Sequence, residues 1–153
     1  MSETTSPHKR PDAQTTASSL ELAHAAAQVS EDNRAKNIVV LDMRKLTSAF
    51  DYFVIVTGAS RRQLHAISDE IDNKFEKELG DTRLGREGYD DSRWILLDYG
   101  DVVIHIFDDV TRDYFSLEEL WAEAPRLDLS QVLHDHAANE TSKTAPLSSD
   151  DQF

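Results

Sequence analysis

No cysteine occurs among the 153 residues. A disulfide framework and a thiolate zinc centre are excluded, and a reducing compartment is compatible with the chain. No apolar run approaches the roughly 20 residues that a membrane-spanning helix needs. The opening stretch MSETTSPHKRPDAQTTA has neither a hydrophobic signal core nor the Arg-rich amphipathic character of a presequence, so a cytoplasmic location and no membrane association are expected. Basic residues are scarce as well: 16 Lys and Arg stand against 29 Asp and Glu, a formal net charge of −13. That balance opposes direct nucleic-acid binding, which needs a basic footprint for the phosphates. It favours encounter with a basic partner, and it also serves plain solubility.

What is present suits one domain with a modest core, hydrophobic residues making up 39%. Residues 1–17 are polar and aperiodic and are expected to form a disordered arm. Residues 130–153 read the same way and end acidic, which predicts a disordered tail. Ser18 to Leu129 is then the folding unit, with no internal repeat.

Ser18 with Glu21 three residues on is a capping-box spacing, and a helix through LELAHAAAQVSEDNRAK follows. NIVVLDM and DYFVIVTGAS predict two strands, the second rich in aromatic and β-branched residues. Ser60 caps the next helix with Gln63 at the capping-box position, and Leu64, Ile67, Ile71, Phe75 and Leu79 make one apolar stripe that Gly80 ends. DTRLGREGYDDS is a loop with room for a short strand near Arg83 and Leu84, and a last helix is expected around Thr111 to Ala122, before Pro125. The order predicts a mixed sheet packed with helices, an α/β fold.

RWILLDYGDVVIHIF predicts a hairpin turning at Gly100-Asp101. Its pairs are Tyr99 with Val102, Leu97 with Ile104 and Ile95 with Ile106 on one face, which must be core. On the other face Leu96 meets His105, Trp94 meets Phe107 and Asp98 meets Val103. A one-residue slip would exchange the faces, so the pattern specifies the register. The second face mixes aromatic anchors with polar groups, as binding patches do. The competing account is a face covered by a helix, with His105 hydrogen-bonded to Asp98 or to backbone.

Catalytic chemistry has weaker support. Asp98, Asp101 and His105 are spread along the hairpin, and no second histidine with ligand spacing lies near, so no metal or other cofactor is expected. TGASRR at Thr57 to Arg62 lacks both the Walker and the three-glycine spacing, and a helix cap with surface arginines explains it. His134 and His136 in the tail are a weak metal pair at most.

DYFVIVTGASRRQLHAISDEI, the Glu87-Gly88 pair before WILLDYGDVVIHIF, and RDYFSLEELW, in that order, resemble the ribosomal silencing factor family (RsfS, also called Iojap) over about residues 18–125. The resemblance implies a nucleotidyltransferase-like topology without the metal site: Gly58 and Ser60 are present, but no Asp-x-Asp follows on the next strand. It implies a non-enzymatic translation repressor. Such a factor binds the large ribosomal subunit through its protein number fourteen at the subunit-joining face, and sterically blocks the small subunit. It leaves room for a homodimer. Trp94, Asp98, Tyr99, Gly100, Asp101 and His105 match the family's hairpin motif, and Leu117, Glu118 and Trp121 its final helix; Leu96 joins them from the hairpin pattern. The alternatives are a nucleotidyltransferase-type enzyme and a large-subunit assembly factor.

Overall fold

A computed structural model describes residues 17–133. The expectations for residues 1–16 and 134–153, His134 and His136 included, lie outside the described residues. Helix α1 (Ser19–Asp32) opens on the full capping box: Glu21 N–H donates to Ser18 Oγ at 3.1 Å, and Ser18 N–H donates to Glu21 Oε1 at 2.9 Å. It stops four residues short of the expected end. Asn33 caps it and Arg34 turns left-handed at φ 66°, which releases the chain into β1 (Lys36–Asp42). Strand β2 (Tyr52–Thr57) follows and is buried along its whole length. Ser60 Oγ caps α2 (Arg61–Glu78) by accepting from Gln63 N–H at 3.1 Å. The Gln63 side chain does not complete a capping box. It accepts from Ala59 N–H and donates to the carbonyls of Asn33 and Arg34, both at 2.9 Å, tying the start of α2 to the end of α1.

The short strand in the next loop forms directly after Arg83-Leu84, as β3 (Gly85–Glu87). Strands β4 (Trp94–Asp98) and β5 (Val102–Phe107) then make the hairpin. The last helix departs from expectation. It is two pieces, α3 (Asp109–Phe115) and α4 (Leu117–Leu120), separated by Ser116 at φ 46°, ψ 57°. Ser116 N–H closes α3 on the Arg112 carbonyl at 2.8 Å, and the left-handed residue then redirects the chain.

The five strands lie in the order β1-β2-β5-β4-β3. Strands β2 and β5 are parallel and every other pair is antiparallel, so the sheet is mixed as predicted. One face packs on α1 and α2. Of the predicted stripe, Leu64, Ile67, Ile71 and Phe75 are fully buried there against Ile95, Leu97, Ile104 and Ile106, while Leu79 is half-buried at the helix C-cap. A smaller cluster forms on the other face, where Leu117 and Ala124 sit over Leu41, Phe53, Ile55, Val103 and Phe107.

After α4 the chain runs beside β1: Asp42 N–H donates to the Pro125 carbonyl at 2.8 Å, and Leu127 N–H to the Val40 carbonyl at 2.9 Å. This covers an otherwise open sheet edge. A turn then bonds Leu133 N–H to the Leu129 carbonyl at 2.8 Å and buries Leu133 in the larger core, 6% exposed. Packing thus continues four residues past the expected boundary at Leu129, because Leu127, Leu129, Val132 and Leu133 all contact the core. Leu133→Ala should lower stability by about 2 kcal/mol or more, the usual cost of truncating a buried leucine. Chemical denaturation of the full chain measures it, and an unchanged midpoint would refute the role of this turn.

Candidate protein-docking surface

The hairpin register is the predicted one: Trp94 opposite Phe107, Leu96 opposite His105, Asp98 opposite Val103. Val103, His105 and Phe107 are buried, while Trp94, Leu96 and Asp98 are half-buried. Trp94 Nε1–H donates to His105 Nδ1 at 3.1 Å. That bond fixes the imidazole tautomer, with the proton on Nε2. Nε2 has no hydrogen-bond partner, and the ring meets Phe53 edge-on at 4.5 Å. Burial pushes the His105 pKa down from 6.5 to about 3, so the ring is neutral at neutral pH. His105 therefore supports Trp94 from below, and only the outer part of the indole is left for a partner.

The Trp94 ring packs between Phe107 and Phe115, both at 4.8 Å between ring centroids. Phe115 belongs to α3, which displays apolar side chains to solvent: Val110 is 78% exposed, Tyr114 81% and Phe115 46%. Between α3 and the start of β4 lies a cleft of about 470 Å³, lined by Gly88, Asp91, Arg93, Trp94, Val110, Thr111, Tyr114 and Phe115. Clustered exposed aromatics of this kind mark interaction sites on soluble proteins. These α3 and loop residues were not among those the sequence singled out. Val110 and Tyr114 do have i, i+4 spacing, but such spacing ordinarily indicates core.

One residue of α3 is buried, and it is Arg112. Its Nε donates to Glu118 Oε2 at 3.0 Å, and its Nη1 donates to the Asn37 carbonyl at 2.7 Å and to Thr57 Oγ1 at 2.8 Å. A single guanidinium thus joins α3, α4, β1 and β2, a use of its rigid donor fork that lysine could not copy. Burial alone would raise the Glu118 carboxyl, but the hydrogen bonds and charge of Arg112 outweigh it and hold Glu118 below its usual range.

The ten residues expected to meet a partner do not gather into one patch. Trp94 and Leu96 are half-open on the same face. Leu117 is buried, and Trp121 packs edge-on to Phe53 at 6.3 Å, so both help cover the sheet. Glu118 is engaged by Arg112. Tyr99 corrects the expectation: it is 1% exposed on the opposite, core face, packs on Phe75 at 4.4 Å and bonds Asp72 through its hydroxyl. Residue parity along β4 dictates this, since Tyr99 follows Ile95 and Leu97. Gly100 takes φ 90° in the turn, where its N–H donates to Asp98 Oδ1 at 2.8 Å. The Asp101 carbonyl accepts from Asp51 and Tyr52 N–H at 2.7 and 3.1 Å, pinning the turn to the start of β2. The turn begins at Tyr99, five residues and roughly 17 Å along the strand from Trp94.

Strand direction separates the groups that phosphoryl-transfer chemistry would need. Gly58 and Ser60 follow the end of β2, beside Phe107, whereas Asp98 and Asp101 lie at the other end of β5, beside Tyr52. The five intervening residues span roughly 17 Å. Ser60 Oγ is occupied as a helix cap. Among the described residues no cluster of three His, Asp or Glu side chains is placed to hold a metal ion. No helix among them is long and apolar enough to cross a membrane.

The fold and the site define a mixed α/β protein whose accessible feature is a half-covered aromatic sheet face flanked by an apolar helix. The sequence model described as "Ribosomal silencing factor during starvation" matches residues 16–152, and the chain belongs to that family. It is 38% identical over 116 residues to the ribosomal silencing factor RsfS of Halalkalibacterium halodurans, covering 76% of this chain and 98% of that one. It is 43% identical over 104 residues to the RsfS of Bacillus subtilis, covering 68% and 87%. A crystal structure of a Chromobacterium violaceum protein superposes with a TM-score of 0.67 at 36% identity, covering 69% of this chain and 88% of that one. A mouse protein named for mitochondrial assembly of the ribosomal large subunit is 35% identical over 89 residues, 57% of this chain and 39% of its own length.

The His105–Trp94 bond predicts a pH response. Between about pH 6.5 and 3 the unfolded chain binds a proton at His105 that the folded chain does not. Stability should therefore fall as the pH drops through this window, by about 1.4 kcal/mol per pH unit from this group. Glutamine at this position still offers Trp94 an acceptor but does not titrate. Denaturation of wild type and His105→Gln at pH 7, 6, 5 and 4 should show the variant losing less stability over the series; equal slopes would refute the assignment.

Proposed function

We propose that this protein is a cytoplasmic translation repressor that binds the large ribosomal subunit through ribosomal protein number fourteen. Seated at the subunit-joining face, it keeps the small subunit away by steric exclusion. The observation behind this reading is the half-open Trp94 face with Val110, Tyr114 and Phe115 exposed beside it, on a chain of net charge −13. Aromatic anchors supply the affinity and the acidic surface steers the chain to a basic ribosomal protein. The names of the bacterial relatives support silencing. The mouse relative's name favours a second reading, a role in large-subunit assembly. Sucrose gradients separate them: a repressor travels with mature free large subunits, an assembly factor with immature particles.

Trp94→Ala should weaken binding to purified large subunits by about 30-fold, from the roughly 2 kcal/mol that a tryptophan hot spot contributes. Its melting temperature should drop far less than loss of a core tryptophan would cause. Thermal melting and co-sedimentation on the same variant decide this, and a stable variant that binds like wild type would refute the surface. We further infer that the protein does no nucleotidyl transfer, since the helix start and the hairpin carboxylates are at opposite ends of the sheet. Incubation with labelled nucleotides and magnesium or manganese should yield no labelled product. Metal-dependent transfer lost on changing Asp98 or Asp101 would overturn this.

A further inference from the structure

The loop from Gly88 to Ser92 forms one side of the Trp94 cleft, and it is held by a device outside the docking surface. Ser92 is 6% exposed and sits at φ 60°, a left-handed conformation that a non-glycine residue keeps only when its surroundings impose it. Its N–H donates to the Gly88 carbonyl at 2.9 Å and its hydroxyl to the Tyr89 carbonyl at 2.8 Å. From α2, His65 Nε2 lies 2.7 Å from the Tyr89 carbonyl and 2.8 Å from Ser92 Oγ. A carbonyl can only accept, so Nε2 bears the proton and His65 acts here as a donor. That removes the hydrolytic meaning a Ser–His contact would otherwise suggest, because the imidazole has no lone pair facing the hydroxyl.

The same histidine stacks on the Tyr89 ring, with centroids 3.9 Å apart and planes 4° from parallel. The Arg86 guanidinium covers the ring's other face at 3.7 Å, and the Tyr89 hydroxyl donates to Asp69 at 2.9 Å. At the loop's far end Gly88 has φ +79°, and a Cβ there would sit 2.0 Å from the Trp94 carbonyl oxygen. The closed loop therefore lies hard against the residue that anchors the docking surface.

We propose that His65 is a positioning residue for ribosome binding: by stacking on Tyr89 and donating to its carbonyl, it holds the 88–92 loop closed against Trp94, so the cleft is preformed. This rests on the Trp94 face being the ribosome-binding site. With the latch removed, only a fraction of molecules has the loop closed, and apparent affinity falls by that fraction. His65 itself is half-buried on α2 and lies outside the packed apolar stripe, so its loss should cost less stability than loss of a stripe residue.

The test uses the full chain as wild type, Trp94→Ala and His65→Ala, with Kd for purified large subunits, thermal melting and amide hydrogen exchange measured on each. His65→Ala should bind about tenfold more weakly, melt within a few degrees of wild type, and lose protection at the Ser92 amide by a similar factor. Wild-type affinity of His65→Ala, alongside weak binding of Trp94→Ala, would overturn the latch and leave the docking surface standing. Weaker binding with Ser92 protection intact would also overturn it, since His65 would then act by another route. Wild-type affinity of Trp94→Ala would remove the docking surface and the latch together. If His65→Ala melts below the assay temperature, His65→Gln, which keeps the donor and loses the ring, replaces it; severalfold weaker binding supports the latch and unchanged binding refutes it.

Discussion

Six consecutive residues of β2 pair in parallel with six of β5, Tyr52 with Val102 through to Thr57 with Phe107, without a slip. Both strands are buried along their whole length. Everything else is hung from this pairing. A parallel pair needs a long crossover, and α2 with β3 and β4 supplies it. The pairing also sets which groups meet at each end of the sheet. The Gly58-Ala59-Ser60 turn is bonded to the end of β5, where Gly58 N–H donates to the Phe107 carbonyl, while the Gly100 turn is bonded to the start of β2 through the Asp101 carbonyl. The same strand direction that closes the core therefore keeps the helix start apart from the hairpin carboxylates.

The two sheet faces are treated unequally, and the docking surface arises from that inequality. Two long helices cover one face completely. The other receives Leu117, Trp121 and Ala124 from a chain that kinks at Ser116. The cover stops short of Trp94, and the polar groups beneath are already consumed. Trp94 Nε1–H is spent on His105, and Arg112 is spent on Glu118, Asn37 and Thr57. What faces outward there is mostly apolar area, which suits recognition by shape and burial. Charge acts around it, at longer range.

Local patterns in the chain foretold local structure well. The capping serine at Ser18, the stripe on α2 and the pairing of Trp94 with Phe107 all appear where alternation and 3.6-residue spacing put them, since those periods are backbone geometry. Two features were not legible. Ser116 breaks the last helix with no glycine or proline to signal it. Leu133 is buried although only the Val132–Leu133 pair is apolar in an otherwise polar stretch. The core orientation of Tyr99, by contrast, was legible from its parity with Ile95 and Leu97, although the family motif groups it with the turn.

The sequence by itself determined that this is a mixed α/β domain with a two-faced hairpin, an acidic surface and a place in the ribosomal silencing factor family. Periodicity, charge and ordered motifs are properties of the chain that need no third dimension. Only the tertiary structure decided which face of that hairpin stays partly open, because openness depends on how far another segment reaches. It alone turned Arg112 into the internal tie of α3. It also brought His65 onto Tyr89, 24 residues away in sequence, to stack beside the cleft that Trp94 lines.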